Sequence, residues 1–186
     1  MQKPYQNQKA TVFRRYYSFV LSALCSIYLV SSLFCPLSTS AAVSTTTALD
    51  ASKRISGGGM HSIILKANGE VLGWGRNQEG QCNIPPAAQS GVVAVAAGNL
   101  HSLALKADGT VIAWGSTAYN RCAVPAELNT AIAIAAGEAH SLALRSDGTI
   151  VGWGNTNAAA LSNLPPGLNH VIAIASTYRH CLALKR

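Results

Sequence analysis

His61, His101, His140 and His180 each open a near-identical phrase: HSIILKANGEVLGWG, HSLALKADGTVIAWG, HSLALRSDGTIVGWG and HCLALKR. The histidines lie 40, 39 and 40 residues apart. In the three longer copies a tryptophan follows each histidine by 13 residues, at Trp74, Trp114 and Trp153. A fixed period of this size means one supersecondary unit used several times, each unit burying its apolar faces against its neighbours. The copies run approximately over 55–91, 92–130, 131–170 and 171–186, about 3.3 repeats of about 40 residues.

Each copy reads as β-structure. His-Ser-Leu-Ala-Leu alternates with period two. Asn68-Gly69, Asp108-Gly109 and Asp147-Gly148 follow at matching places. Such pairs form tight hairpin turns, because Gly accepts positive φ and an Asx side chain bonds its own backbone. Val111–Gly115 returns as the partner strand. Val92–Ala97, echoed at 131–137 and 171–176, leads into each histidine. Val93 and Val95 are expected on one face and Ala94 and Ala96 on the other. A strand apolar on both faces is covered on both faces. Cys122–Pro125 is expected to add a short edge strand, the only place its proline suits. No segment of 90–186 keeps a 3.6-residue period, which removes a helical reading.

These phrases, VVAVAAGNLHSLALKADGTVIAWG above all, with GQCNIPP at 80–86, resemble the short bacterial form of the regulator-of-chromosome-condensation repeat. The resemblance covers roughly 55–186. It implies an all-β fold of stacked propeller blades, seven in a full ring. The family includes eukaryotic exchange factors for a small GTPase and a secreted bacterial β-lactamase inhibitor protein, whose repeats look most like these. The sequence departs from the pattern in three ways. It holds about 3.3 repeats rather than seven. Ser52–Ser56 replaces the apolar strand of the first copy. The last copy lacks the turn and the tryptophan strand. The expected fold is therefore a partial β-propeller. Three explanations stand side by side: a truncated or decayed member of a longer family, self-association that completes the ring, and docking onto another repeat protein.

The recurring residues invite chemical readings and mostly refuse them. A catalytic group occurs once per site, whereas His61, His101, His140 and His180 recur once per blade and are expected to bond local backbone at the strand start. Ser62, Ser102 and Ser141 follow three of them, yet no acid stands at a consistent spacing and no Gly-x-Ser-x-Gly elbow occurs. Trp74, Trp114 and Trp153 are expected to pack between blades with the indole N–H bonded. Gly57-Gly58-Gly59 lacks the Lys-Ser/Thr of a phosphate loop. Cys82 and Cys122 sit at equivalent repeat positions, too far apart for a disulfide. No CxxC or histidine-rich metal spacing occurs, so no cofactor or metal is expected, and the chain is expected not to be an enzyme.

Repeat proteins carry their sites where the copies differ. The loop after each Trp-Gly differs, giving Arg76, Asn77 and Glu79, then Tyr119, Asn120 and Arg121, then Asn155. The pair before each histidine differs too: Gly59-Met60, Asn99-Leu100, Glu138-Ala139 and Tyr178-Arg179. Tyr and Arg are frequent interface anchors. Arg76, Asn77, Glu79, Tyr119, Asn120, Arg121, Asn155, Tyr178 and Arg179 are the candidate partner-binding residues. The expected role is a protein–protein interaction module for an unidentified protein partner, with an inhibitor-like role as one form of it. A regulatory role of the nucleotide-exchange type, as the eukaryotic relatives have, and a non-functional fragment are the alternatives.

Composition bears on compartment and partner. Residues 1–42 hold Lys3, Lys9, Arg14 and Arg15 and no acid, so the net charge of +7 splits into +4 and +3. The basic pI therefore belongs largely to the first 15 residues, and no dense Lys/Arg stripe follows, which argues against nucleic acid. Arg14-Arg15, the apolar run Ser18–Leu37 and Ser40-Ala41-Ala42 make a signal peptide cleaved after Ala42. The alternative is an uncleaved anchor helix over residues 18–37. Residues 43–54 read as a linker. The expected location is exported: periplasm, extracellular space or cell surface, with the membrane engaged only through the N-terminal segment.

Overall fold

The computed structural model describes residues 53–155, 165 and 167–186. The signal or anchor segment and the linker up to residue 52 lie outside the described residues. Four antiparallel sheets follow one another along the chain. The first contains β1 (Ile55–Gly57), β2 (His61–Leu65) and β3 (Val71–Gly75). The second contains β4 (Val92–Ala97), β5 (His101–Lys106) and β6 (Val111–Gly115). The third contains β7 (Ala131–Ala136), β8 (His140–Arg145) and β9 (Ile150–Gly154). The fourth pairs β10 (Val171–Ser176) with β11 (Cys181–Lys185). Every repeat thus becomes one blade, its strands in chain order.

Two turn chemistries set the blade. Asp108 Oδ1 accepts from the Thr110 amide at 3.0 Å and hydroxyl at 2.6 Å, and Asp147 does the same for Thr149. Gly69, Gly109 and Gly148 take φ of +86°, +82° and +80° there. The glycine after each tryptophan has a different reason. Gly75, Gly115 and Gly154 have φ of +105°, +102° and +112°. A Cβ at these positions would lie 2.5–2.7 Å from the carbonyl oxygens of Met60, Leu100 and Ala139. Trp-Gly is therefore a packing requirement of the β2–β3, β5–β6 and β8–β9 pairs.

The core lies between sheets, not within one. Leu103 and Leu105 join Val111, Ala143 and Trp153 in the cluster between the second and third blades. Ala104, on the opposite face of the same strand, joins Ile63, Leu65 and Trp114 between the first and second. Each blade thus offers large leucines to the blade after it, and alanine plus tryptophan to the blade before it. Size complementarity is what lets successive sheets pack at interior density.

Three expectations need correction. The large-and-small alternation of Val92–Ala97 is broken by a β-bulge between Val92 and Ala94, repeated at Ala131/Ala133 and Val171/Ala173. The extra residue is turned outward, leaving Val93, Ile132 and Ile172 exposed. Cys122–Pro125 forms no strand; it follows a tight turn in which the Ala123 amide bonds the Asn120 carbonyl. The first copy keeps its inner strand in shortened form, with Ile55 opposite Ile64 despite the neighbouring charges.

Candidate functional site

The blades share a polar seam at the histidine ends of their strands. His61 Nε2 lies 3.0 Å from Ser102 Oγ, and His101 Nε2 lies 2.9 Å from Ser141 Oγ. Ser102 donates its proton to the Gln81 carbonyl, and Ser141 to the Arg121 carbonyl. The same two carbonyls accept the indole N–H of Trp114 at 2.9 Å and of Trp153 at 3.0 Å. A hydroxyl has one proton, so each serine can only accept from its histidine. The network therefore assigns the imidazole proton to Nε2. The ring bonds the next blade's serine rather than local backbone, which corrects the sequence expectation. Burial holds His61, His101 and His140 below the usual histidine pKa, His101 at about 3. Nearby Arg121, His140 and His61 add to the effect at His101. A neutral imidazole locked between blades is a staple, not a general base.

The seam changes where the copies differ. Trp74 is 54% exposed, because no described blade precedes it. His180 is exposed, since no described blade follows it. Cys181 replaces the serine, and its thiol lies 3.3 Å from His140 Nε2, which also meets Ser176 Oγ at 2.8 Å. Burial pushes the Cys181 thiol above its usual pKa, as it does for Cys82 and Cys122. Those two donate to the Arg76 and Ser116 carbonyls and are free thiols.

The candidate binding residues fall into two groups. On the first blade Arg76 pairs with Glu79 at 2.9 Å. Asn77 accepts from the Cys82 amide at 2.8 Å and donates to Asn83, so it holds its own loop. On the later blades Tyr119, Arg121, Tyr178 and Arg179 converge through Glu138. Arg121 donates from Nε to the Ala118 carbonyl and from a terminal nitrogen to the Glu138 carbonyl. The Tyr178 hydroxyl and Arg179, whose Nε donates to Glu138 at 3.0 Å, hold the Glu138 carboxyl below the usual range. Its own amide bonds the Tyr178 carbonyl. Arg121 lies under the Tyr119 ring at 5.5 Å, and Arg179 beside the Tyr178 ring at 5.2 Å. The two tyrosines remain 63% and 59% exposed.

Arg121 is not a surface side chain, contrary to the sequence reading. Only 4% of it is exposed, and it supports Tyr119 from below. Tyr119 and Asn120 hold φ of 57° and 58°, a left-handed pair without glycine. Such backbone persists only where surrounding bonds over-determine it, and Arg121 supplies them. Asn155 stands apart, its amide bonded to the Ala139 carbonyl. Glu138 is the hub that the candidate list lacked, though its place in the variable pair before His140 marked it. The inner strands border a trough of about 520 Å³, lined in part by Asn99, Glu138 and Tyr178.

Residues 53–81, 92–121 and 131–158 match the regulator of chromosome condensation (RCC1) repeat. These are RCC1 repeats. Solved structures agree on the fold. Prp20p from Saccharomyces cerevisiae superposes with a TM-score of 0.59 at 24% identity, over 71% of this chain and 42% of that one. Yeast RCC1 (Prp20) bound to Kap60 gives 0.60 at 25%, over 71% and 41%. Human WBSCR16 gives 0.58 at 24%, over 70% and 44%. The chain therefore spans less than half the length of these RCC1-fold relatives. No curated protein matches it significantly by sequence. The Prp20p structure was described with that protein's binding to Gsp1p and histones.

Proposed function

We propose that this RCC1-repeat chain is an exported, non-enzymatic interaction module that grips a protein partner with the rim at the histidine end of its blades. One observation carries the reading. Tyr119 and Tyr178 stand exposed while every charged group beneath them is committed to another protein group. Rigid aromatic side chains on a pre-satisfied polar base lose little entropy on binding and are frequent hot spots. The relatives' protein partners support a binding role over a catalytic one. Export rests on the N-terminal sequence, and an inhibitor-like role is one form of such binding.

Two experiments test it. A reporter fused after residue 50 should leave the cytosol, and cytosolic retention refutes export. A photo-crosslinking amino acid placed at position 119 or 178 of the full chain, in the cells it comes from, should trap a discrete protein adduct. The same residue at position 126, exposed in the loop between the second and third blades, should not. Equal adducts at all three positions, or none at 119 and 178, refute the rim as the contact surface.

A further inference from the structure

The blades stack in register, so their Asx-Gly turns lie at the end opposite the histidines. Backbone bonds between blades confirm the alignment there: Ala131 N to Gly109 O at 3.1 Å, and Val171 N to Gly148 O at 3.1 Å. The three bulge residues Val93, Ile132 and Ile172 belong to this end, 42%, 48% and 52% exposed. They occupy the same place, eight residues before the histidine. The blade does not need an aliphatic side chain there. Lys53 holds the equivalent position in the first copy, and its carbonyl still accepts from the Val95 amide at 2.9 Å. Three outward aliphatics at a position the fold leaves free are a surface feature.

Among the described residues, cations outnumber acids around them. Lys106, Arg145 and Lys185 stand directly across from Val92, Ala131 and Val171, the residues preceding the bulges. Among the described residues the ion pairs are Lys66–Glu70, Arg76–Glu79 and Arg179–Glu138, so none of these three cations has a carboxylate partner. Glu70 pairs with Lys66, whereas Asp108 and Asp147 are tied to their turn threonines and feel Lys106 and Arg145 only at a distance. The histidine end differs, since Arg76 and Arg179 are both neutralised there.

We propose that the turn end is a second interaction surface, which takes an acidic polypeptide segment carrying aliphatic side chains between its carboxylates. The aliphatics would cover Val93, Ile132 and Ile172, and the carboxylates would meet Lys106, Arg145 and Lys185. Cations interleaved with apolar groups and spaced one per blade suit such a segment better than a phosphate backbone, which calls for a denser basic track. This surface shares no residue with the rim around Glu138, so it stands or falls independently of that reading.

The test uses the full chain and a fluorescent synthetic peptide in which Glu and Ile alternate. A poly-Glu peptide of equal length and vesicles of phosphatidylcholine with phosphatidylserine are the comparison probes. The Glu/Ile peptide should bind, weaken as salt rises, and bind at least about tenfold more weakly to Val93→Thr/Ile132→Thr and to Lys106→Gln/Arg145→Gln. The first pair keeps the β-branched shape, and the second leaves the core untouched, so both should fold. Tyr119→Ser/Tyr178→Ser should bind the peptide unchanged. Equal binding of poly-Glu, insensitivity to both double variants, or binding of vesicles with no binding of the peptide would each overturn the proposal.

Discussion

Acid should loosen the blade stack through His101. The ring is fully buried, and its folded pKa is about 3 against 6.5 for a free histidine. Below pH 6.5 the unfolded chain takes up a proton that the folded chain refuses, so stability falls as pH falls. Nothing is lost above pH 6.5, and the loss grows until the folded pKa is reached. The difference corresponds to about 2 kcal/mol at pH 5 and approaches about 5 kcal/mol below pH 3. His61 and His140 are shifted in the same direction and add to it. The depressed carboxylates of Asp108, Glu138 and Asp147 titrate below their ordinary values near 4, so the window from pH 7.5 to 5 isolates the histidines. Urea unfolding at pH 7.5, 6 and 5 should show a falling midpoint, with a melting temperature lower by roughly 5–10 °C at pH 5. His101→Gln should be less stable at pH 7.5 but show a shallower pH slope. A His101 ring that titrates near 6.5 by NMR, or a midpoint unchanged from pH 7.5 to 5, refutes the staple.

Further outcomes follow from the same seam. Ser141→Ala leaves the His101 N–H without an acceptor and should cost about 1–3 kcal/mol in chemical denaturation. Trp114→Ala should cost about 3–5 kcal/mol, whereas Trp74→Ala, on the half-exposed copy, should cost about 1 kcal/mol or less. Equal losses at the two tryptophans would contradict burial between blades. Gly154→Ala forces a Cβ to 2.5 Å from the Ala139 oxygen at φ +112° and should lower the melting temperature sharply. Tyr119→Gly relaxes a left-handed residue and should stabilise the fold by about 1 kcal/mol. The same change should remove the partner adduct formed from position 178.

The histidine end also shows how repetition and variation divide the work. His, Ser and Trp recur because each inter-blade contact needs one donor chain: imidazole to hydroxyl to carbonyl, with the indole on the same carbonyl. The carbonyl comes from residue 81 or 121, and a backbone oxygen places no demand on the side chain. Gln81 and Arg121 can therefore differ while doing the same structural task. Arg121 uses that freedom to support Tyr119.

From the repeat period, the Asx-Gly turns and the two-residue alternation, the sequence alone determined the blades, their strands and their order. These are local properties, fixed by φ, ψ and side-chain periodicity within a few residues. It also marked the loops in which copies differ. Only the folded stack decided the rest. The bulge that turns Val93 outward depends on how β4 is paired with β5, not on its own alternation. The partner of His101 is a serine 40 residues away, which no window on one strand contains. Arg121 looked like a surface anchor, since an arginine's burial depends on which carbonyls a neighbouring blade brings to it. Glu138 became a hub for the same reason: its bonds to Arg121, Tyr178 and Arg179 arise when separate blades meet.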